Sequence, residues 1–567
     1  MDEKKLYLID CSAPFFSRLP EGETVNWSKA PLSGLEEGGR IRGSTFKNVR
    51  REMELYVSRV SGMGYNGLTL DDLAHLALLR GYPDKTADKI VRYRRHYEDI
   101  LSIARSFGMS VFVNTDICFT NQTILGRLTD GEPVESVMEE AVLSLFTRFP
   151  EVSGVVFRAG ESDGVDTKSE FRSRILLETP VQANRFLRKL LPLFERLGKT
   201  LIFRTWTVGA YPLGDLIWNP STWKKVFRNI SSTALVISMK PGEGDFFRYL
   251  ELNPIFFLPG PARILEIQAR REYEGFGEFP SYIGKEIQAW SNELSGLTYF
   301  RGVSVWCQTG GWSRFRNLTF LRDSSFWNEL NAAVAVAVFR YGRSHSKAAC
   351  HYWGGSGKKD FLEFLRLSGE VVEKYLYVPA FAKKRWYFRS VRVPPLLDVL
   401  WDRVTITDGI ARVYRALSGK HGGKEYNTGG MKKRLARMEL LADRLRLPYR
   451  GEFHRDTLRV LTLARKLVFR KGDIADANKL ARIAAAYRRK HPDGFRFRVN
   501  LTVGMAHGAA ETAIRLAVRK KPEYRLLDRL IFHPWLLFFW RVLARLLKRQ
   551  LPPAADRVAM PLEKLLR

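Results

Sequence analysis

The sequence predicts an α/β fold, a (β/α)8 TIM barrel followed by a mainly α-helical C-terminal domain. Two observations carry this. Short apolar runs alternate with helix-length amphipathic stretches through the first part of the chain, the pattern of a parallel sheet with covering helices. Eight such runs precede a long helical stretch, and eight strands close a barrel of this kind.

In chain order the expected strands are 23–27, 67–70, 110–114, 154–158, 200–205, 234–239, 264–268 and 302–306. Between them lie amphipathic helices at 48–63, 86–107, 133–149, 180–197 and 280–294, and an alanine- and valine-rich helix at 325–341 closes the wall. A further apolar run, 5–9, is left over as a cap or edge strand. The domains then read as an N-terminal segment 1–22, the barrel 23–343, a helical connector 344–430 with the glycine-rich stretch 418–430, and a basic helical domain 431–567. Helices are expected at 360–377, 431–446, 456–468, 474–489 and 509–519.

At 567 residues with 45% hydrophobic content, the chain is long enough for a large core and is not of disordered composition. The four cysteines lie far apart without ligand spacing, and the histidines show no paired spacing, so no metal, no disulfide framework and no cofactor is expected. The opening MDEKKLYLIDCSAP lacks the apolar stretch of a secretory signal and reads as cytoplasmic. The formal charge is +32, and residues 401–567 hold 38 of the 92 Lys and Arg but 15 of the 60 Asp and Glu. Such a tail suits an anionic partner. The stretch 526–550 has an apolar run far short of the roughly 20 residues of a membrane span. With its arginines it reads as an amphipathic helix for the inner face of the cytoplasmic membrane, or as a helix docked on the barrel.

The chemistry gathers at strand ends. The fourth strand, GVVFR, runs into Ala159-Gly160-Glu161, the sixth into Lys240-Pro241-Gly242-Glu243-Gly244-Asp245, and the seventh into Gln268-Ala269-Arg270-Arg271-Glu272. The C-terminal edge of a barrel is where loops converge side chains over a rigid base. Glu161, Asp245 and Glu272 would then share one mouth, where neighbouring carboxylates raise one another's pKa and one keeps a proton for acid–base work. Arg158, Arg204 and Lys240 accompany them. These cations either pair with the acids or hold a substrate carboxylate, for which arginine offers a bidentate fork. Trp206, Trp306 and Trp312 lie at or beyond strand ends, as sugar-stacking platforms or as core.

The motifs NWSKAPLSGLEEGGRIRGSTF, SRVSGMGYNGLTLDDL, GMSVFVNTD, GVVFRAGESDG, LIFRTWTVG, VISMKPGEGDFFRYLELNPIFF, LEIQARREYEGFGEFPSYIGKEIQAW and WNELNAAVAVAVFRYG, in this order over residues 23–342, resemble the barrel of family 67 glycoside hydrolases, the α-glucuronidases. The resemblance implies an inverting glycosidase that removes an α-linked uronic acid from an oligosaccharide, as the family does on xylan-derived substrates. It implies Glu161 as general acid, Asp245 and Glu272 as the carboxylates of the general base, and Lys240 and Arg204 as cations for the sugar carboxylate, with Arg158 replacing a lysine. Asp71 and Asp72 stand where the family tends to have asparagines and are expected in the sugar pocket. The family's N-terminal β-domain is not evident, and the basic tail exceeds what a xylan-degrading enzyme needs, so the expected partner is an acidic glycan at a membrane surface. A homo-oligomer is compatible with this reading. Two alternatives stand beside it: a catalytically silent barrel that binds acidic glycans, and a nucleic-acid-binding protein acting through its tail, for which no recognition motif is seen.

Overall fold

In the computed structural model the described residues are 5–16, 25–26, 29–37, 40–41, 43–160, 170–206, 212–308, 312–313, 320, 325–419, 428–469, 474–502, 508–531, 533, 535–536 and 538. Eight parallel strands close into a barrel: β1 (Leu6–Asp10), β2 (Gly67–Leu70), β3 (Ser110–Asp116), β4 (Gly154–Arg158), β5 (Thr200–Arg204), β6 (Leu235–Met239), β7 (Ala262–Gln268) and β8 (Phe300–Trp306), each beside its neighbour in sequence, with β1 paired to β8. The fold class read from the sequence is therefore observed, with one correction. The first barrel strand is the apolar run at the N-terminus, not 23–27, so the barrel begins within the segment expected to precede it. Val25–Asn26 instead pairs antiparallel with Trp312–Ser313, in the loop after β8.

Closure between β1 and β8 has local causes. Gly302 takes φ 127°, and a Cβ there would lie 2.0 Å from the carbonyl oxygen of Leu6, so only glycine lets the two backbones meet. At the other end of the same pair, Asp10 accepts the backbone N–H groups of Cys307 and Gln308, both at 2.7 Å. Burial, offset in part by those donors, pushes the Asp10 carboxyl up to about 6.

The barrel interior is layered by the two-residue period of its strands. Leu8, Phe112, Val156, Ile202, Val236 and Ile264 form a small cluster apart from the main core. Two residues further along, the same faces carry Asp10, Asn114, Arg158, Arg204, Ser238 and Glu266. The bottom of the barrel is thus apolar and its mouth polar. Outside, α1 (Gly43–Met63), α2 (Asp84–Ser106), α3 (Val134–Arg148), α4 (Pro180–Arg196), α5 (Pro220–Val226) and α6 (Gly284–Leu294) cover the strands. The closing helix α7 (Phe326–Tyr341) is buried without interruption from Trp327 to Phe339, as expected of a helix apolar on most faces.

The C-terminal region is mainly helical: α8 (His345–Trp353), α9 (Lys358–Val371), α10 (Asp408–Ser418), α11 (Thr428–Leu445), α12 (Gly451–Phe469), α13 (Ile474–Lys490) and α14 (Ala509–Ala517). It also holds a three-stranded sheet that the sequence did not announce. β9 (Val399–Leu400) and β10 (Arg403–Thr407) form a hairpin, and β10 pairs in parallel with β11 (Arg496–Asn500). Arg465 of α12 locks this arrangement. Its guanidinium grips Asp398 through two 2.8 Å bonds, with both side chains fully buried, and it also donates to the carbonyl of Tyr375 at 3.1 Å.

Removing one partner of a buried pair strands the other charge, at a cost of about 3–5 kcal/mol. Arg465→Met should therefore lower the thermal unfolding temperature of the whole chain, measured by calorimetry, whereas Arg437→Met, which breaks a half-exposed pair with Glu363, should barely move it.

Candidate active site

The polar layer at the barrel mouth is a set of buried ion pairs. Arg204 at the end of β5 holds Glu266 of β7 in a bidentate grip, 2.7 and 2.8 Å, and lies 4.4 Å over the ring of Trp306. Burial alone would raise the Glu266 carboxyl, but the Arg204 charge and its hydrogen bonds outweigh it and hold the pKa low. Arg158 at the end of β4 meets Asp116 of β3 at 2.7 Å, and Lys29 and Ser173 close on the other oxygen of Asp116. There too burial is outweighed by the two cations, and Asp116 is lowered. Glu266 and Asp116 were not among the sequence candidates. Both lie on the inward face, two and four residues beyond Ile264 and Phe112, so stepping by the strand period would have found them.

The third pair has a different balance. Lys240, after β6, donates to Asp245 Oδ1 at 2.6 Å and is sandwiched between the rings of Trp206 (3.6 Å) and Phe246 (4.3 Å). The Tyr273 hydroxyl donates to the other oxygen of Asp245 at 2.6 Å. Glu272 belongs to the same cluster. The chain turns at Arg271, which takes φ 58° and is tied to Glu274 at 2.6 Å, and this turn sets Glu272 in the mouth with its N–H donating to Gln268 Oε1 at 2.8 Å. Burial first, and the neighbouring Asp245 charge second, push the Glu272 carboxyl up to about 8, against the pull of Lys240, Gln268 and Trp401. The structure thus sets a carboxyl that keeps its proton at neutral pH beside a salt-bridged carboxylate.

Trp401 comes from the C-terminal region. It occupies the two-residue turn between β9 and β10 with φ 53°, a left-handed conformation that suits such hairpins but is uncommon for a bulky side chain. Its indole Nε1–H donates to Glu272 Oε2 at 3.2 Å. No local sequence signal marks it as a site residue.

The remaining candidates are placed as follows. Asp71, buried after β2, accepts from the backbone N–H of Ala30 (2.7 Å) and from Asn114 (3.0 Å), and burial raises it. Asp72 caps a short 3-10 turn, accepting from the backbone and ring nitrogens of His75 at 3.0 and 2.7 Å; these and Lys29 overcome its burial and lower it to about 2. The Nε1–H of Trp306 is buried without a hydrogen-bond partner. Glu161 lies outside the described residues, as does the side chain of Trp312.

No family model matches the chain, and no curated protein matches it. Among solved structures, similar ones include a GH138 enzyme targeting pectin rhamnogalacturonan II (TM-score 0.47, 10% identity, covering 86% of this chain and 62% of that one). Two others are a family 89 glycoside hydrolase from Clostridium perfringens in complex with PUGNAc (TM-score 0.44, 9% identity, 77% and 51%) and CpGH84B (TM-score 0.36, 11% identity, 82% and 74%). The chain spans less than two thirds of the length of the first two, and at these identities the likeness is one of fold.

The raised carboxyl has a thermodynamic signature. Folded Glu272 holds its proton to about pH 8 against an ordinary value of 4.5, so its contribution to stability is complete below the unfolded pKa and is lost as pH rises through the folded one. Relative to Glu272→Gln, which cannot titrate, the wild-type chain should lose stability steadily from about pH 5 to about pH 8 and then level off. Parallel thermal melts across that range check the sign, and parallel curves would rule out a raised Glu272.

Proposed function

We propose that the protein is a glycoside hydrolase that removes an α-linked, glucuronic-acid-like uronic acid from an oligosaccharide or glycan with inversion. The observation that carries the reading is the pairing of proton-holding Glu272 with salt-bridged Asp245 in the mouth of a barrel lined by cations. Hydrolysis of a glycosidic bond needs one group to protonate the leaving oxygen and another to take a proton from water on the opposite face. Glu161 is assigned the first task, on its place after β4 and the family 67 resemblance of its motif. Asp245 and Glu272 are assigned the second: a carboxyl with pKa near 8 is a strong base once ionised, and the Trp401 indole donates to it.

The cations suit a uronic acid. Arg204 and Arg158 are matched by Glu266 and Asp116, so Lys240, beside Asp245 and Glu272, is the cation assigned to the sugar carboxylate. The Lys240 ammonium has three hydrogens to donate, and Asp245 is the hydrogen-bond acceptor beside it. A substrate carboxylate at that ammonium would be held between two aromatic faces, and the open Nε1–H of Trp306 offers a donor to a sugar hydroxyl. Family membership rests on the motifs alone, so xylan is one candidate source of the sugar among uronic-acid-bearing glycans.

Release of free uronic acid from a panel of α-glucuronosyl oligosaccharides tests the proposal, with the first-formed anomer read by NMR. Wild type should release the β-anomer, and Glu272→Gln, Asp245→Asn and Glu161→Gln should each lower kcat by about 10²- to 10⁴-fold. No release by wild type, with ligand binding retained, would leave a binding barrel in place of an enzyme.

Because Glu272 must lose its proton before it can accept one from water, kcat/KM should rise with pH and level off above about 8. Trp401→Phe deletes a donor that favours the ionised form and should move this limb to higher pH. A profile that instead falls through pH 8 would reassign Glu272 to proton donation.

A further inference from the structure

A cavity of about 740 Å³ opens in the C-terminal region, between residues 384–386, the end of α10 and the chain that follows α14. Six cations line it, Lys384, Arg515, Arg519, Lys520, Lys521 and Arg525, against the single acid Glu523. Arg519 is the anchor. It is 2% exposed, and its backbone pairs with that of Tyr387 on both sides, at 2.8 and 2.9 Å. The guanidinium lies 4.3 Å over the Tyr524 ring, and its Nη2 donates to the carbonyls of Arg389 (2.7 Å) and Pro522 (3.4 Å), while Nε and Nη1 have no acceptor in good geometry. The nearest carboxylate, Asp528, is 3.8 Å from Nη1 and is already gripped by Arg525 at 2.8 and 3.2 Å. The indole Nε1 of Trp386, also on the wall, is buried without a partner. Buried donors left unmet in a cationic cavity are costly unless an anion with several acceptor oxygens completes them.

Beyond Arg525, several described residues present large apolar side chains to solvent. Leu526 (79% exposed) and Leu530 share one helix face, and Trp535 (84% exposed) and Phe538 follow. Among the described residues no helix is long and apolar enough to cross a membrane. Large exposed apolar side chains beside a cationic pocket are the two halves of an interfacial surface, in which cations meet headgroups and aromatics enter the acyl boundary. A soluble phosphate would satisfy the cavity and leave the apolar row unused, and so would the backbone of duplex DNA.

We propose that this cavity receives the phosphate of an anionic phospholipid headgroup, with Leu526, Leu530, Trp535 and Phe538 entering the bilayer interface. Arg519 supplies the fork for two phosphate oxygens, Trp386 a further donor, and Lys520 and Lys521 the attraction to the surrounding surface.

The test is co-sedimentation of the full chain with vesicles of phosphatidylglycerol and phosphatidylcholine, against vesicles of phosphatidylcholine alone. Affinity for the anionic vesicles should be at least about tenfold higher, and the double variant Lys520→Glu, Lys521→Glu should remove most of the difference. Trp535→Ser with Leu530→Ser should weaken binding at unchanged charge. Arg519→Lys keeps the charge but loses the fork, and should weaken binding by about tenfold; undiminished binding by this variant would assign the attraction to diffuse charge and overturn the cavity. Should Arg519→Lys not fold, occupancy is read instead from protection of wild type against thermal unfolding by anionic vesicles, which Lys520→Glu, Lys521→Glu should lack. Equal protection by free glycerol 3-phosphate, equal binding to both vesicle types, or capture by duplex DNA without capture by vesicles would each sink the proposal.

Discussion

One ammonium serving two carboxylates is the constraint on which the mouth of the barrel depends. Lys240 can neutralise one negative charge in a region from which water is largely excluded, and Asp245 takes it at 2.6 Å. A second full negative charge beside that pair would be uncompensated, so Glu272 retains its proton well above the ordinary carboxylate range. The aromatic rings of Trp206 and Phe246 hold the ammonium in place by covering it. Moving the cation, or supplying another, would change the protonation of the site before it changed its shape.

The neighbouring pairs keep that imbalance local. Arg204 meets Glu266, and Arg158 meets Asp116, which Lys29 also reaches, so each of the two arginines at a strand end has its acid on another strand of the same barrel. Such pairs contribute little to stability once desolvation is counted. Their effect is to tie neighbouring strands together at the rim beside the unpaired carboxyl of Glu272. The apolar layer beneath, from Leu8 round to Ile264, gives the charges a rigid floor.

Much of this was legible in the chain. Seven of the eight strands fall on the short apolar runs expected from the sequence, and the site acids beyond β6 and β7 follow from the loops at the ends of those runs. The first strand differs because the more apolar run 5–9 (KLYLI), and not 23–27 (ETVNW), meets β8, with Leu6 opposite Gly302; that pairing joins the two ends of the barrel, which no local period encodes. Glu266 and Asp116 are legible only from the two-residue alternation inside β7 and β3, which continues the inward faces of Ile264 and Phe112, and not from the loops after the strands. Trp401 could not have been found this way. It is a lone tryptophan in a turn between two very short strands, and its role arises only when the hairpin reaches the mouth. The parallel partner of that hairpin, β11, lies over 90 residues further on and leaves no trace in the nearby sequence.

The hairpin that carries Trp401 also sets a timetable. During synthesis the N-terminal strand must wait, unpaired on one edge, until β8 has emerged, and the indole that touches Glu272 is fixed only after β11 has been made and laid against β10. A nascent chain therefore has no finished pocket until roughly 500 of its residues exist. Fragments released early would carry Asp245 and Glu272 without the indole donor of Trp401, so the C-terminal region completes the set of groups around Glu272.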